Sequence, residues 1–282
     1  MKIANDWKDY KVIATGDGEK LEKWGDYILL RPDPQVIWHA KGDLSKYPGL
    51  DGHYLRSSSG GGNWQFFKNV PERWTINWRG LKFIIKPMGF KHTGLFPEQA
   101  VNWNDIMKAI KEANRPIKVL NLFAYTGGAS VVCASAGAQV THVDASKGMV
   151  ERAKENATLN GITNIRYIVD DCKKFIEREI RRGNFYDAII MDPPSYGRGT
   201  NGEMWKLEDN LFDFVELTKK VLSPNPLFVL ISSYTTGLQA SVLANILTLV
   251  FGSGGIDADE IGLPTDETIV LPCGARGLKL WK

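Results

Sequence analysis

The sequence predicts an α/β fold, in which a mostly parallel, doubly wound sheet follows a smaller segment rich in β-strands. Two observations support this prediction. Downstream of about residue 115, apolar runs of strand length alternate with amphipathic stretches of helical length. Upstream of that point, tryptophan and glycine are dense and strand-like alternation recurs. We therefore expect a β-rich domain over residues 1–95 and an α/β domain over residues 96–282.

The strands of the first 95 residues are predicted where apolar residues cluster between turn signals. The turn signals are Arg31 to Pro34 and the pair Arg79-Gly80. Ser57 to Gly62 is expected to form a flexible loop, because serine and glycine offer few side-chain atoms to order it. The predicted strands are Tyr27–Leu30, Gln35–Trp38, Trp74–Trp78 and Leu81–Ile85, the last two as a hairpin.

The elements of the second part follow from the alternation of apolar runs with amphipathic stretches. A helix of small residues comes soon after the first of these strands, across two glycines. The predicted strands are Ile117–Phe123, Gln139–Val143, Ile165–Val169, Tyr186–Met191, Leu227–Ser232 and Glu260–Leu263. The predicted helices are Ala129–Ala136, Lys147–Leu159, Lys173–Arg181, Asp209–Val221 and Leu238–Phe251.

The composition excludes several classes of protein. Of the 282 residues, 43% are hydrophobic and 24% charged, which is not the composition of a disordered, collagen-like or coiled-coil chain. The N-terminus lacks the apolar run of a signal peptide, and Leu243 to Phe251 is far shorter than the ~18 residues that cross a bilayer. Three widely spaced cysteines match neither a disulfide framework nor a zinc pattern, so we expect a reducing, cytoplasmic setting and no metal site.

A glycine-rich turn is the first candidate site. It joins the strand that ends at Phe123 to the helix of small residues, through Tyr125, Thr126 and Gly127. Glycine allows a ligand to approach the backbone closely, and the start of a helix offers free N–H groups. In an open parallel sheet this crevice is where ligands bind. The alternative is a tight turn that holds no ligand.

Acidic residues follow the next two strands. Asp144 ends the second strand, where a carboxylate can accept hydrogen bonds from both hydroxyls of a ribose. Asp171 follows the third strand and can accept one from the amino group of an adenine. For both residues, capping the next helix is the alternative. With the glycine turn, these residues indicate a ligand that contains adenosine.

The fourth strand ends in Asp192, Pro193, Pro194 and Ser195. Consecutive prolines make a rigid turn at an edge of the sheet where loops hold ligands. They also remove two N–H donors, so we expect their carbonyls to be free to face an amino group of a substrate. The alternative is a rigid turn without a ligand.

Other nucleotide-binding patterns are missing. The glycine-rich turn after Phe123 does not form a G-x-G-x-x-G fingerprint, and the sequence contains no Tyr-x-x-x-Lys pair and no G-x-x-x-x-G-K-[ST] phosphate loop. These absences count against a typical dehydrogenase and against an NTPase.

The ordered set of motifs resembles the class I S-adenosylmethionine-dependent methyltransferases. The segment from Gly89 to Gln99 further resembles the one before the Rossmann-like domain in bacterial 23S ribosomal RNA cytosine-C5 methyltransferases, whose usual leading RNA-binding module is not apparent here. The resemblance implies a seven-stranded Rossmann-like domain whose last, antiparallel strand lies within Glu267 to Trp281, and a β-rich domain that handles the substrate. It implies methyl transfer from S-adenosylmethionine to RNA, with ribosomal RNA the expected target. The implied cofactor-binding residues are Lys91, Thr93, Gln99, Phe123, Tyr125, Thr126, Gly127, Asp144, Ala145, Asp171, Cys172 and Asp192, and the implied catalytic residues are Asp192, Pro193 and Pro194.

The cysteines leave the methylated atom open. Methylation at C5 of cytosine needs a thiolate, which related enzymes place in the loop after the fourth or fifth strand. Neither of those loops contains cysteine here. Cys133 and Cys172 are expected to be buried and inert, and Cys273 is the remaining candidate nucleophile. Methylation of an amino group needs no covalent intermediate, and Asp192 would then polarise or orient that group, with Tyr196 able to stack on the base.

The acceptor is expected to be RNA because of the segment from Lys46 to His92. It holds eight Lys or Arg residues, two acidic residues and several interleaved aromatic residues. Core packing of a small β-domain would account for about half of these aromatics, since a strand buries every second side chain. A methyltransferase of proteins or small molecules, a nucleotide-dependent oxidoreductase and an RNA-binding module are the alternatives.

Overall fold

We describe a computed structural model of the chain, which covers residues 1–57, 61–198, 204–235 and 237–281. Contacts between residues divide the chain into two compact units. Unit 1 comprises Met1, Val101–Ile261 and Gly274–Lys282, and unit 2 comprises Lys2–Ala100 and Gly262–Cys273.

The regular secondary structure of unit 2 consists mainly of short strands. In order, β2 to β6 form a five-stranded sheet, in which β4 and β5 pair in parallel and the other neighbours are antiparallel; β7 and β8 form a separate hairpin. The strands are β1 (Lys2–Ile3), β2 (Tyr10–Gly16), β3 (Glu19–Trp24), β4 (Tyr27–Pro32), β5 (Gly52–Arg56), β6 (Gly62–Phe66), β7 (Trp74–Trp78) and β8 (Leu81–Ile85).

The strand predictions for this unit have mixed outcomes. The hairpin of β7 and β8 and the strand β4 are confirmed. The strand predicted over Gln35–Trp38 is wrong, because Asp33 starts a turn there: its carboxylate accepts from the Gln35 N–H at 3.0 Å and its carbonyl from the Val36 N–H at 3.2 Å. Of the predicted loop from Ser57 to Gly62, residues 58–60 lie outside the described residues, and Gly62 already begins β6.

Unit 1 has the predicted alternation of strands and helices. Its strands are β9 (Lys118–Leu122), β10 (Gln139–Asp144), β11 (Ile165–Val169), β12 (Ala188–Met191), β13 (Tyr196–Arg198), β14 (Met204–Lys206), β15 (Phe228–Ser233), β16 (Ile256–Pro264) and β17 (Val270–Leu280), of which β16 and β17 extend beyond the unit. Its helices are α1 (Ala100–Glu112), α2 (Gly128–Ser135), α3 (Lys147–Leu159), α4 (Cys172–Arg182), α5 (Leu207–Lys219) and α6 (Ala240–Phe251).

In unit 1 the main sheet has the order β16-β17-β15-β12-β9-β10-β11. From β15 to β11 all neighbours are parallel, whereas β17 pairs antiparallel with β15, as the resemblance implied for the last strand. The α/β prediction is confirmed. Since β9 and β12 are adjacent but far apart in sequence, the chain reverses its winding direction between them, and this switch point is where open α/β sheets bind ligands.

The core of unit 1 explains why its strands are predictable. Strand β12 is buried along its whole length, and Leu122, Ile189 and Met191 pack with apolar residues of α4, α5 and α6 in one cluster. Strands buried on both faces read as continuous apolar runs, which is the pattern that these segments show. Helix α1 and the short hairpin of β13 and β14 were not predicted.

Candidate functional site

The turn after β9 has an unusual backbone. Phe123 and Tyr125 adopt positive φ angles of 54° and 51°, and Gly127 has a φ of 81°. A Cβ atom at Gly127 would lie 2.8 Å from the Cβ atom of Ala153 in α3, so only glycine fits here. Residues other than glycine are strained in the left-handed region of the backbone, and such strain concentrates at functional sites. The turn therefore supports the prediction of a ligand-binding loop.

Neighbouring elements hold this turn in place. The buried Asn156 of α3 donates to the carbonyl of Thr126 at 2.9 Å. The sulfur of Cys172, at the start of α4, accepts from the Phe123 N–H at 3.3 Å. These two hydrogen bonds tie the turn to α3 and to α4.

Asp144 joins two loops at the end of β10. One carboxylate oxygen accepts from the Tyr125 N–H at 2.8 Å, and the other accepts from the Ser146 N–H at 2.8 Å. It is therefore not the N-cap of α3, which is Ser146. An ionised carboxylate has about four acceptor positions, so Asp144 keeps capacity for the hydroxyls of a ribose. Ala145 follows it and is exposed.

Asp171 lies at the end of the neighbouring strand β11. Its side chain caps α4 by accepting from the Lys174 N–H at 2.9 Å, so the capping role is confirmed. The second carboxylate oxygen is not used by this cap. Its neighbour Asp170 forms an ion pair with Arg178 and accepts from the Asp171 N–H at 2.9 Å, which places the Asp171 backbone.

The fourth candidate group follows β12, directly beside β9 in the sheet. Asp192 is half-buried, and burial raises the pKa of its carboxyl to about 6. We find no hydrogen-bond or ion-pair partner for this carboxyl within the described part of the chain. Pro193 is buried and Pro194 is exposed. An unpaired carboxyl at the switch point of the sheet is available to a substrate.

The loop after Asp192 is held by contacts that the sequence did not predict. The indole N–H of Trp205, on β14, donates to the Pro194 carbonyl at 2.6 Å. One acceptor position of this carbonyl is therefore occupied, which corrects the expectation that it is free. The Ser195 hydroxyl lies 2.6 Å from the Thr235 hydroxyl, in the loop after β15.

Trp205 also connects this loop to the glycine turn. The ring centroids of Trp205 and Phe123 are 5.5 Å apart, and both rings pack on Phe214 of α5. Tyr196 is exposed and its hydroxyl donates to the Met204 sulfur at 3.1 Å. The sequence contains no pattern that would identify Trp205, since its position depends on the β13–β14 hairpin.

Three candidate cofactor residues lie in unit 2. Lys91 is half-buried, and burial with help from the charges of Lys20 and Arg31 lowers the pKa of its ammonium to about 8. Thr93 is fully buried, and Gln99 ends a short 3₁₀ helix. Their roles in cofactor binding stay predictions.

None of the three cysteines is exposed. Cys133 lies inside α2, Cys172 packs in the core of unit 1, and Cys273 lies in β17 with 3% of its surface exposed. Burial raises the pKa of each thiol above its ordinary value. The expected burial of Cys133 and Cys172 is confirmed, and Cys273 is equally inaccessible.

The comparison with known proteins identifies the family. The sequence profile that matches residues 50–212, more than half of the chain, is described as S-adenosylmethionine-dependent methyltransferase. The chain belongs to the S-adenosylmethionine-dependent methyltransferase family. A crystal structure of a SAM-dependent methyltransferase from Agrobacterium tumefaciens is 37% identical, with a TM-score of 0.91 over 98% of this chain and 91% of that one. The predicted fold class and cofactor are thereby confirmed.

Curated relatives of this methyltransferase match part of the chain. One from Shewanella frigidimarina, named ribosomal RNA large subunit methyltransferase K/L, is 35% identical over 150 residues. One from Pseudoalteromonas translucida with the same name is 33% identical over 150 residues. Each match covers 52% of this chain and 20% of the relative, so the chain spans about a fifth of the length of these relatives.

The site of this methyltransferase fits S-adenosylmethionine. Helix α2 has no side-chain cap at its N-terminus, so its first N–H groups can bind a carboxylate. The carboxylates of Asp144 and Asp171 end adjacent strands, where the hydroxyls of a ribose and the amino group of an adenine can donate to them. Among the described residues, no group of His, Cys, Asp and Glu could hold a metal ion, and no helix is long and apolar enough to span a membrane.

Proposed function

We propose that this methyltransferase transfers the methyl group of S-adenosylmethionine to a nitrogen atom of a base in RNA, with ribosomal RNA as the expected source. The observation that carries the proposal is Asp192: a half-buried carboxyl without a partner in the described chain, beside the glycine turn. Above a pH of about 6 it is ionised. It can then accept a hydrogen bond from an amino N–H, increase the electron density on that nitrogen, and take up the proton that the nitrogen loses when the methyl–sulfur bond breaks and S-adenosylhomocysteine is left.

The chain's own groups divide into two sets. Asp144, Asp171 and the start of α2 bind and orient the cofactor, which when bound supplies a methyl group on a positively charged sulfur. Asp192 and the carbonyl of Pro193 orient the acceptor nitrogen from the neighbouring strand end. Holding two reactants in line in this way can lower the barrier by about 7–11 kcal/mol without any covalent intermediate.

The loop geometry supports a positioned acceptor. Trp205 holds the Pro194 carbonyl, and the hydroxyls of Ser195 and Thr235 lie within hydrogen-bond distance. The turn after β12 is therefore tied to the hairpin that follows it and to the loop after β15. Since both ties leave Asp192 unpaired, they position its carboxyl without neutralising it.

Transfer to C5 of cytosine is less well supported. That reaction needs an accessible thiolate near the target base. Cys133, Cys172 and Cys273 are buried, and burial raises the pKa of each thiol. Ser232 and Ser233, the last two residues of β15, are also buried, and serine hydroxyls are weak nucleophiles without an adjacent base.

RNA is the proposed acceptor for two reasons. The curated relatives that match half of this chain are named as ribosomal RNA methyltransferases. In addition, the segment from Lys46 to His92 is basic and carries exposed aromatic rings. Basic side chains bind phosphates, and aromatic rings stack on unpaired bases.

The test is methyl transfer from radiolabelled S-adenosylmethionine to total RNA of a strain that lacks this protein, with total protein and a metabolite extract from the same strain in parallel. We expect label in RNA only, sensitive to ribonuclease, and expect Asp192→Asn to reduce it about 100-fold or more. Label in protein or in small molecules, or full transfer by Asp192→Asn, would contradict the proposal.

A further inference from the structure

We propose that one face of the β5–β6 hairpin in unit 2, together with Phe90, is a stacking surface for unpaired bases of single-stranded RNA. We call it the hairpin face and define it by Arg56, Trp64, Phe66 and Phe90. This inference rests on the proposal that RNA is the acceptor, and it names a part of unit 2 that binds that RNA.

The register of the hairpin puts aromatic rings on one face. Tyr54 lies opposite Trp64, and Gly52 lies opposite Phe66. Because side chains alternate along a strand, Tyr54, Trp64 and Phe66 share a face with Arg56. The rings of Trp64 and Phe66 are nearly parallel, with an angle of 5° and a centroid distance of 5.7 Å.

Glycines leave room for these rings to pack closely against the hairpin backbone. A Cβ atom at Gly52 would lie 2.8 Å from the Phe66 ring, and one at Gly62 would lie 2.8 Å from the Tyr54 ring. The ring of Phe66 thus covers Gly52, and 44% of the surface of Phe66 is exposed. An exposed aromatic ring that is held against a strand is a platform on which a base can stack.

The loop that carries Phe90 is fixed to the same face. The Trp64 indole N–H donates to the Met88 carbonyl at 2.8 Å, and the Tyr54 hydroxyl donates to the Gly89 carbonyl at 3.5 Å. Phe90 follows directly and is 52% exposed. The loop that carries Phe90 is therefore bonded to the same hairpin that carries Phe66.

Other aromatic residues of the same segment have a structural role instead. Trp78 and Phe83 are 1% and 0% exposed. Trp74 packs on Tyr27 and donates to the Trp24 carbonyl at 2.9 Å. Burial thus separates core aromatics from those of the hairpin face.

The charges around the hairpin face favour a polyanion over an apolar partner. Within Lys46 to His92 the two acidic residues, Asp51 and Glu72, are each paired with a lysine. Arg56 is exposed and has no ion-pair partner among the described residues. The remaining charge is positive, which suits the phosphates of RNA.

The test is binding of the full chain to a fluorescein-labelled single-stranded RNA of about 12 nucleotides, which fits the site sizes of such surfaces. We expect Phe66→Ala and Phe90→Ala each to weaken binding about 5- to 100-fold. Phe66→Tyr keeps the ring and should bind within about twofold of the parent chain. Phe185→Ala removes a ring of similar exposure, 49%, from unit 1 and should have no effect.

Further readouts separate this inference from the proposed function. Arg56→Ala should reduce the slope of the logarithm of the binding constant against the logarithm of the salt concentration by about 1, because one phosphate contact is lost. A duplex RNA should compete poorly, because its bases are stacked internally. If Phe66→Ala and Phe90→Ala bind single-stranded RNA as tightly as the parent chain and keep its KM for RNA, the hairpin face is refuted while RNA methylation stands. If single-stranded RNA binds through these rings but no RNA is methylated, the proposed function fails and the hairpin face stands.

Discussion

The half-buried carboxyl of Asp192, for which the described residues supply no partner, should destabilise the folded chain at neutral pH. Burial raises the pKa of this carboxyl from 3.8 to about 6, so the folded state binds its proton more tightly than the unfolded state does. Each pH unit between the two values corresponds to about 1.4 kcal/mol, and the full difference to about 3 kcal/mol. This loss of stability is absent below the pKa that the carboxyl has in the unfolded chain. It grows between about pH 4 and pH 6 and reaches its full size above about pH 6.

Asp192→Asn removes the titrating group and keeps its size. The variant should therefore have a larger free energy of unfolding than the parent, by about 3 kcal/mol at pH 8 and by almost nothing at pH 4. Urea unfolding of both chains at half-unit pH intervals measures the difference. The same variant should lose methyl transfer, so that activity and stability change in opposite directions.

Asp187→Asn is the matched control. Burial alone would raise the pKa of Asp187, but hydrogen bonds from the Lys118 N–H, Arg115 and Ser223 lower it below its ordinary value. Asp187→Asn should therefore destabilise the chain at neutral pH, and the loss should shrink as the pH falls below 4. The reasoning is refuted if Asp192→Asn is no more stable than the parent at pH 8, or if its advantage does not depend on pH.

Three further variants test the cofactor and substrate loops. Gly127→Ala should destabilise the chain by about 1–3 kcal/mol more than Gly137→Ala. Both glycines have a positive φ, but only a Cβ atom at Gly127 would clash with a neighbour. Equal losses of stability in thermal unfolding would contradict this prediction. Asp144→Asn should weaken S-adenosylhomocysteine binding by about 10- to 100-fold in calorimetry, and unchanged affinity would exclude its role. Trp205→Phe keeps an aromatic ring but loses the hydrogen bond to the Pro194 carbonyl. We expect kcat to fall about fivefold and the affinity for the cofactor to stay unchanged. A fall in cofactor affinity alone would show that Trp205 has a different role.

Much of unit 1 was predictable because apolar runs of strand length alternate with amphipathic stretches of helical length, and because β9, β12 and β15 are buried along almost their whole length. Predicted and observed bounds agree for Lys147–Leu159 and Ile165–Val169, and β9 and β10 differ by one or two residues. The candidate site in this unit followed from the same regularity, since parallel strands end at one edge and Asp144, Asp171 and Asp192 each follow a strand.

The rest depends on side-chain contacts that the pattern of apolar residues does not show. Gln35–Trp38 has a strand-like composition, but the Asp33 carboxylate accepts from the Gln35 N–H and starts a turn there. Trp205 acts on Pro194 only because the β13–β14 hairpin brings it back. The role of Cys172 as an acceptor for the Phe123 N–H requires a positive φ that no sequence pattern indicates.

The identity of the methylated nucleoside tests the central claim most directly. RNA labelled by the parent chain would be digested to nucleosides and analysed by mass spectrometry, with RNA labelled by Cys273→Ala as the comparison. A nucleoside methylated on a base nitrogen, formed equally by both chains, is the predicted result. A 5-methylcytidine product that disappears with Cys273→Ala would contradict the account, because it would require a buried thiol to act as the nucleophile.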